Sequence, residues 1–271
     1  MTHTESVALF LFAHQDDEFG VFQKILDERQ KGRRVCCAYL TDGGTSNASP
    51  QRRNVESLYV LQQLGVHTQD VRFAGQALGI SDAKLHENLE SAANWICGWI
   101  NGFSQVTSIC VPAWEGGHHD HDALHAITVS IAVERDILEC VRQFSLYNGF
   151  GCSGPFFRVL SPLPMNGVVE EVMIPWKHRL RFFHYCLCYP SQAKTWLGIF
   201  PFVVFHYLFR GKQALQPISA ERIRHRPHDG ALYYETRGFF TWQKMVASID
   251  LWQPAPRLLD KFSKLENLTL E

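Results

Sequence analysis

A histidine and three carboxylates stand directly after the first long apolar run of the chain. The run Val7–Ala13 is uninterrupted, and the polar residues that follow it are His14, Asp16, Asp17 and Glu18. Buried strands of parallel sheets are apolar throughout, and open α/β sheets place their sites at the carboxyl ends of the strands. Imidazole nitrogen together with carboxylate oxygen suits a divalent metal such as zinc. The pattern therefore predicts a metal site at the end of the first strand.

A second cluster of histidines could complete this site. His118, His119 and His121 follow another apolar run, Thr107–Pro112. If both runs are parallel strands, their carboxyl ends lie at the same edge of the sheet. The two clusters would then meet, although they are far apart in the sequence.

The residue types also suggest a division of roles. A zinc site that keeps one position open for water needs about three protein ligands, and His14, Asp17 and His121 would supply them. Asp16 is then free to act as general base on a water molecule that the metal activates. His118 is a candidate acid for the leaving group or a candidate stabiliser of an oxyanion.

Alternating strands and helices would position these clusters. Mostly apolar runs at 7–12, 35–40 and 107–112, together with a short stretch at 70–75, predict four strands. Helical spacing of apolar residues predicts helices between and after them, at 21–30, 52–64, 84–100 and 123–135. Repeated units of this kind predict an α/β fold, with a mostly parallel sheet flanked by helices.

The pattern is less regular beyond Phe144. Ser145–Tyr147 and Phe156–Leu160 are candidate strands, and Trp176–Tyr189 has helical spacing. We expect one domain over residues 1–271, with a core at about 5–150 and an irregular C-terminal extension that wraps around it.

Composition excludes some classes of function. The chain has 271 residues and a formal net charge of −1, so there is no electrostatic case for binding nucleic acid. It has eight cysteines, but no CxxC pair, and several lie inside apolar runs. In a chain of this length they indicate buried free thiols and not a disulfide framework.

The N-terminus and one late apolar segment bear on localisation. The first residues, MTHTES, lack the basic flank of a signal peptide, so we expect a cytoplasmic protein. The segment Trp196–Phe209 is too short to span a bilayer and contains Pro201. Two interpretations stay open: a buried helix or oligomer contact, and an apolar patch for a lipid-linked substrate or a membrane surface.

The two clusters resemble the motifs of a known family. Residues 13–18 are AHQDDE and residues 118–121 are HHDH. They resemble the AHPDDE and HPDH motifs of the LmbE-like, or PIG-L, zinc-dependent N-acetylglucosaminyl deacetylases. Gln15 and His119 replace the two prolines of the usual pattern, neither of which is a ligand in the family. The segments TDG at 41–43, RNVE at 53–56 and LGV at 64–66 extend the likeness.

The resemblance implies a fold and a set of roles. It implies a Rossmann-like domain, and the absence of a Gly-rich loop after the first strand argues against NAD. It also implies zinc on His14, Asp17 and His121, with Asp16 as the base and His118 near the oxyanion or the amine.

Further positions have a functional and a structural interpretation. By resemblance, Arg53 and Asp82 would contact sugar hydroxyls. Arg53 could instead pair with Glu56 one helical turn later, and Asp82 could cap the helix predicted at 84. His228 is a candidate for the mouth of the substrate site, although a loop histidine is more often structural.

Three further side chains are expected to support the site. Glu18 is expected behind the ligands, and His125 is expected to be a second-layer or buried polar residue. We expect His119 to replace a loop proline without a catalytic task.

These expectations combine into a zinc-dependent hydrolase, or one using another divalent transition metal, that deacetylates an N-acetylated amino sugar. The substrate could be lipid-linked, a polysaccharide precursor or a small soluble conjugate. Two alternatives keep the same residues: a metal-dependent hydrolase of another amide or ester bond, and a non-catalytic glycan-binding protein. The oligomeric state is open.

Overall fold

Strands and helices alternate along the first half of the chain, as the sequence predicts. The computed structural model describes residues 5–46 and 48–252. Its strands are β1 Val7–Phe12, β2 Arg34–Tyr39, β3 Val71–Phe73, β4 Val106–Pro112, β5 Val141–Phe144, β6 Tyr147–Asn148, β7 Arg158–Val159, β8 Glu170–Met173 and β9 Lys212–Pro217. Its α-helices are α1 Phe22–Gln30, α2 Pro50–Gln63, α3 Ala74–Leu78, α4 Leu89–Asn101, α5 His119–Glu134, α6 Trp176–Cys186, α7 Ala193–Phe205, α8 Tyr233–Thr236 and α9 Trp242–Trp252.

Among the described residues, seven strands form one sheet in the order β3-β2-β1-β4-β5-β9-β8. Strands β1 to β5 are parallel to their neighbours, whereas β9 and β8 are added antiparallel at one edge. Strands β6 and β7 form a separate two-stranded pair. The predicted α/β class with a mostly parallel sheet is therefore confirmed, and the loosely patterned C-terminal half supplies the antiparallel edge.

Both faces of the sheet are covered, which explains why β1 is apolar at every position. Leu9 and Leu11 are buried in a layer with residues of α4, α5 and α9. Phe10 and Phe12 are buried on the other face with residues of α1, α6 and α7. Helices of the C-terminal half thus pack on both layers. That residues 1–271 form one domain stays a prediction, because both chain ends lie outside the described residues.

The helix predicted from residue 84 begins later than expected. Leu85–Glu87 form a 3-10 turn, and α4 starts at Leu89. The carboxylate of Asp120 accepts hydrogen bonds from the backbone N–H groups of Ala83 and Leu85, which holds this stretch in a turn. Asp82 therefore does not cap a helix at Lys84, and that structural alternative was wrong.

The apolar segment Trp196–Phe209 lies on α7 and a π-helical turn. Helix α7 continues through Pro201, which does not end it, and His206–Arg210 form the π-helical turn. No helix in the described part of the chain is both long and apolar enough to cross a membrane.

The candidate strands after residue 144 are short in the structure. They are reduced to the two-residue strands β6 and β7, which pair antiparallel. The helix predicted at Trp176–Tyr189 is α6, and it ends at Cys186.

Four of the eight cysteines are buried, Cys36, Cys37, Cys110 and Cys186, and the other four are partly buried. All eight lie in the described residues and are free. Burial raises the pKa of the Cys110 thiol to about 11, so this group stays protonated. The predicted absence of a disulfide framework agrees with these positions.

Candidate functional site

Two strand ends bring the two sequence clusters together. β1 and β4 are neighbouring parallel strands, and α5 begins at the end of the loop that follows β4. Nδ1 of His14 lies 3.3 Å from Nε2 of His121, and the same Nε2 lies 3.0 Å from Oδ1 of Asp17. All three side chains are buried. The structure thus places the three predicted metal ligands within reach of one ion.

The backbone fixes the Asp17 carboxylate. Its Oδ2 accepts hydrogen bonds from the N–H groups of Ala13 and His14, at 2.9 and 2.8 Å. Burial acts to raise the pKa of Asp17, but His121 and His14 outweigh it and hold this pKa below the ordinary value. Asp17 is therefore an ionised ligand whose Oδ1 is directed at His121.

Asp120 is a site residue that the sequence reasoning missed. It is fully buried, and its Oδ2 lies 3.1 Å from Nε2 of His14. With Nε2–H donated to this carboxylate, the lone pair of Nδ1 in His14 faces Asp17 and His121. Carboxylates that orient a ligating histidine in this way are common behind protein metal sites. The acid between two histidines in HHDH was the available signal in the sequence.

The residues present fit a bound cation. The carboxylates of Asp17, Asp82 and Asp120 surround His14, and the buried cation nearby is Arg53. Burial acts to lower the pKa of His14, yet these carboxylates raise it well above its ordinary value. The site therefore favours positive charge at His14, which a divalent ion would supply. Two imidazoles and one carboxylate are a donor set that binds zinc and similar transition metals.

Asp16 is held in an unusual backbone conformation beside the ligands. Its φ is 117°, a region that non-glycine residues rarely occupy. The carboxylate of Glu18 accepts the Asp16 N–H at 3.0 Å and also accepts the hydroxyl of Tyr189 at 2.9 Å. Burial raises the pKa of Asp16 to about 8, against the opposing charge of Arg53. Glu18 thus lies behind the site, as expected, and supports the loop that presents Asp16.

Arg53 lies in the site and does not pair with Glu56. Its guanidinium donates to the carbonyls of Gly43 and Gln15 at 2.6 and 2.5 Å, and contacts Asp82 at 3.2 Å and Asp16 at 3.3 Å.

The partners of Glu56 explain why this alternative was wrong. Glu56 bonds Arg52 and Ser191 instead. Arg53 and Glu56 are three positions apart, but Arg53 is directed at the carbonyl groups of Gln15, in the loop that follows β1, and Gly43, in the loop that follows β2.

His118 forms the N-cap of α5 and faces the ligands. Its Nδ1 accepts a hydrogen bond from the N–H of Asp120 at 3.2 Å, which assigns the ring proton to Nε2. Its ring centre lies 4.6 Å from that of His14. Burial holds the pKa of His118 well below its ordinary value, so the ring is neutral and carries one donor.

The two residues that replace the prolines of the family pattern make hydrogen bonds. Gln15 donates to Asn54 at 2.6 Å, and Nε2 of His119 lies 2.9 Å from the carbonyl of Ala83. Gly43, with φ of 64°, leaves the space for Gln15, since a Cβ there would lie 1.9 Å from its Oε1. These hydrogen bonds hold both segments against neighbouring elements. A proline would instead restrict the backbone through its ring.

Two further histidines lie outside the ligand cluster. His125 is buried, with Nδ1 2.9 Å from the carbonyl of Pro112, which agrees with a buried polar role. His228 is also buried, with its ring centre 5.7 Å from that of Phe150. Among the described residues, those lining the two cavities of the site do not include His228. A substrate contact by His228 stays a prediction that this arrangement does not favour.

Two connected cavities open over the ligands. The inner cavity has a volume of about 180 Å³, and it is lined by His14, Asp16, Asp17, Phe19, Thr45, Arg53, Asp82, His118, Tyr147, Gln192, Trp196 and Ile199. The outer cavity has about 800 Å³, and it shares His118, Tyr147 and Ile199 with the inner one. Sequence reasoning also missed Tyr147, whose ring centre lies 5.7 Å from that of His121, because no local motif marks this position.

Several solved structures with a similar fold are named as deacetylases. The A40926 pseudoaglycone deacetylase Dbv21 has 19% sequence identity and a TM-score of 0.59, over 84% of this chain and 99% of that chain. The zinc-inhibited form of teicoplanin deacetylase Orf2 has 15% identity and a TM-score of 0.59, over 79% and 98%. The N,N'-diacetylchitobiose deacetylase from Pyrococcus horikoshii has 16% identity and a TM-score of 0.53, over 79% and 84%. At these identities the likeness is one of fold.

Comparison of sequences gives the family. No curated protein sequence matches the chain. The model of the PIG-L family, described as GlcNAc-PI de-N-acetylase, matches residues 9–132. This range contains both motifs and every predicted metal ligand. The resemblance seen in the motifs is therefore confirmed: residues 9–132 match the model of the PIG-L, or LmbE-like, family.

Proposed function

We propose that this protein is a metal-dependent hydrolase that removes the acetyl group from an N-acetylated amino sugar. One observation carries the proposal: His14, Asp17 and His121 converge on one point, while the Asp16 carboxylate lines the cavity beside them. A metal site with a free carboxylate next to it is the arrangement that hydrolysis by activated water requires. The PIG-L family match supports the acetyl amide as the bond that is cleaved.

His14, Asp17 and His121 would hold the metal, with zinc as the first candidate and another divalent transition metal as the alternative. When bound, the ion would act as a Lewis acid that polarises the acetyl carbonyl and lowers the pKa of water at the site to about 7. Asp120 contributes by keeping the proton of His14 on Nε2, 3.1 Å away. Asp17 contributes one negative charge, so a divalent ion together with its three ligands would keep one net positive charge.

Asp16 would take the proton from the attacking water in its ionised form, which a divalent ion bound beside it would favour over the protonated form. Its carboxylate lines the inner cavity, and Arg53 contacts its Oδ1 at 3.3 Å. The hydrogen bond from its N–H to Glu18 holds the loop, so the side chain is positioned before the substrate arrives. The same carboxyl group can then return the proton to the nitrogen of the leaving amine.

His118 would donate a hydrogen bond from Nε2 to the oxyanion of the tetrahedral intermediate. Its Nδ1 already accepts the N–H of Asp120, and burial keeps the ring neutral. A neutral donor needs no charge of its own to stabilise a developing oxyanion. These features favour the oxyanion role over that of a charged acid for the leaving group.

Arg53 and Asp82 would bind hydroxyl groups of the sugar. Both line the inner cavity, and their ion pair at 3.2 Å fixes a donor and an acceptor side by side. The larger outer cavity would then hold the group attached to the sugar. A lipid-linked conjugate and a polysaccharide precursor are the candidate substrates with a large attached group. Two proteins of similar fold are named as deacetylases of A40926 pseudoaglycone and of N,N'-diacetylchitobiose.

The test is release of acetate from a panel of N-acetylglucosamine conjugates. Purified, metal-loaded protein is incubated with free, nucleotide-linked and lipid-linked forms, and acetate and free amine are measured by mass spectrometry. We expect deacetylation of at least one conjugate. Asp16→Asn should keep the metal and lower kcat by about 10²–10⁴-fold, the usual contribution of a general base.

Two results would contradict the proposal. Hydrolysis of another amide or an ester, with every N-acetyl sugar left intact, would assign the same site to a different bond. Sugar binding without acetate release would identify a glycan-binding protein. Normal turnover by Asp16→Asn would remove Asp16 from the role of base.

A further inference from the structure

Exposed apolar side chains are concentrated in one part of the molecule. Of the eighteen large apolar residues that are exposed in the described part of the chain, thirteen lie between Phe156 and Phe209. Large contiguous apolar surface on a protein marks an interaction site, whereas scattered single residues do not. Five of these thirteen exposed apolar residues lie on α7 and the π-helical turn after it. This segment is therefore a candidate interaction site.

Helix α7 and the π-helical turn after it have two faces. Trp196, Ile199 and Val203 are buried in the core. The exposed side carries large apolar residues at helical spacing, and we call these five the α7 face: Leu197, Phe202, Phe205, Leu208 and Phe209. Leu197 is 80% exposed and Phe209 is 72% exposed. Such a helix exposes to water an apolar stripe that it could bury in a lipid interface.

The same region carries a strong charge asymmetry. Residues 172–220 contain six Lys and Arg and no Asp or Glu, and because the whole chain has a net charge of −1, the remaining residues carry −7. Lys177 and Arg181 are exposed on α6, and Arg210 is exposed at the end of the α7 face. Helices α6 and α7 are adjacent, since the ring centres of Phe183 and Phe200 lie 5.1 Å apart.

The α7 face also adjoins the mouth of the site. Gly198 and the buried Ile199, both on α7, line the outer cavity together with Phe157. Phe202, on the α7 face, lies with its ring centre 5.2 Å from that of Phe157. The apolar surface is thus continuous with the wall of the outer cavity.

We infer that the α7 face docks on a lipid bilayer that carries anionic headgroups. Apolar side chains would enter the headgroup region while Lys177, Arg181 and Arg210 contact anionic lipid, a pairing that interfacial helices use. The acid-rich remainder of the molecule would face away from the same surface. The outer cavity would open at the bilayer, where it could take a sugar from a lipid carrier without leaving the surface.

The test is sedimentation with vesicles of two compositions. Vesicles of phosphatidylcholine with roughly 30% phosphatidylserine model an anionic surface, and vesicles of phosphatidylcholine alone are the neutral reference. We expect the full chain to bind the anionic vesicles at about 0.1 M salt and to bind more weakly at about 0.5 M, because salt screens surface charge. The triple variant Leu197→Glu, Phe205→Glu, Phe209→Glu should lose about tenfold or more in partitioning.

A matched control separates the α7 face from net charge. The variant Val55→Glu, Tyr59→Glu, Leu78→Glu changes three exposed apolar residues elsewhere on the surface and adds the same three charges. We expect it to bind vesicles like the unaltered protein. Circular dichroism verifies that both variants are folded, and activity on a soluble N-acetyl sugar should be unchanged in the α7 variant.

Three results would overturn the inference. The first is unaltered protein that stays in the supernatant with anionic vesicles, and the second is equal binding by the two triple variants. The third is a dimer that the α7 variant converts to a monomer, without vesicle binding by either form, which would assign the α7 face to a second copy of the chain. The readout is sedimentation, so its failure is distinct from failure of the proposed deacetylation.

Discussion

The floor and the wall of the site come from different parts of the chain and differ in chemistry. The floor consists of charged and imidazole side chains that follow β1 and β4, and it lies within the family match at residues 9–132. The wall is defined as the apolar and aromatic side chains beyond that range that line the two cavities, which are Tyr147, Phe157, Trp196, Ile199, Tyr233, Phe239 and Phe240. Arg237 and Lys244 also line the outer cavity, and Gln192 lines the inner one.

The two parts are also held in different ways. Floor residues are fixed by several hydrogen bonds each, as for Asp120, which bonds His14 and two backbone N–H groups. Wall residues are held by ring contacts, as between Phe157 and Tyr233, whose centres lie 4.9 Å apart. Hydrogen bonds fix direction, whereas apolar contacts fix mainly volume. The comparison suggests that the floor determines the reaction and the wall determines which conjugate is accepted.

Loss of a ligand should have the largest effect on the floor. His121→Ala removes the imidazole nearest to Asp17, so we expect metal content to fall to a small fraction of one ion per chain and activity to fall by roughly 10³-fold or more. His125→Asn is the control on the same helix, one turn later, and should keep the metal. Elemental analysis of both folded proteins measures the metal content per chain. If His121→Ala still binds one ion per chain, His121 is not a ligand.

His118 should have a large effect without loss of metal. His118→Ala removes the proposed oxyanion donor, and kcat should fall by about 10²–10³-fold. His118→Gln keeps an N–H donor and should recover part of that loss at every pH. If Gln and Ala are equally impaired while the alkaline limb of the pH–rate profile disappears, His118 is the acid for the leaving group.

A change in the wall should affect binding more than chemistry. Phe157→Ala removes an aromatic contact of the outer cavity, so KM for a conjugate with a large attached group should rise about tenfold. The values of kcat and metal content should stay close to normal, as should KM for free N-acetylglucosamine. Phe156→Ala is a matched control, because Phe156 is 67% exposed. An equal rise in KM for free N-acetylglucosamine would show that Phe157 also affects the positions of the floor residues.

A charged cluster outside the site should affect stability and leave catalysis intact. Glu28 is buried and contacts Lys24 at 2.7 Å, with Arg33 and Lys31 also paired to it. Burial acts to raise the pKa of Glu28, but Lys24 and Arg33 outweigh it and lower this pKa. The ionised form therefore adds stability above the ordinary pKa of a glutamate, and this contribution is lost as the pH falls through the lowered pKa of the folded state.

Glu28→Gln measures that contribution. At pH 7 it should lower the free energy of unfolding by about 1–2 kcal/mol. The loss is smaller than for a fully buried ion pair, because the side chains of Lys24 and Arg33 are partly exposed to solvent. The difference from the unaltered protein should shrink in acid, and activity at pH 7 should be unchanged. Glu90→Gln, an exposed position on α4, is the control. Urea unfolding at several pH values gives the result, and a constant difference would contradict the assigned role of Glu28.

Much of the floor was predictable because its residues lie in short, recognisable stretches of the sequence. The apolar run of β1 and the HHDH stretch at the start of α5 fix local strand and helix ends. Parallel neighbours must bring such ends to one edge of a sheet. The direction of each side chain was less predictable. The sequence also allowed an ion pair between Arg53 and Glu56, and it allowed Asp82 to cap a helix. Only the paths of the neighbouring loops in the structure excluded these two alternatives.

The sequence by itself determined the chemistry of the site: which atoms are available as ligands, where the strands end, and which family the motifs match. The tertiary structure alone decided the rest. It placed Asp120 behind His14, Tyr147 over His121, and α7 beside the cavity, all through contacts between residues far apart in the chain. Ligand chemistry depends on residue type and close spacing, which a sequence displays. Packing depends on long-range contacts, and no local pattern encodes them.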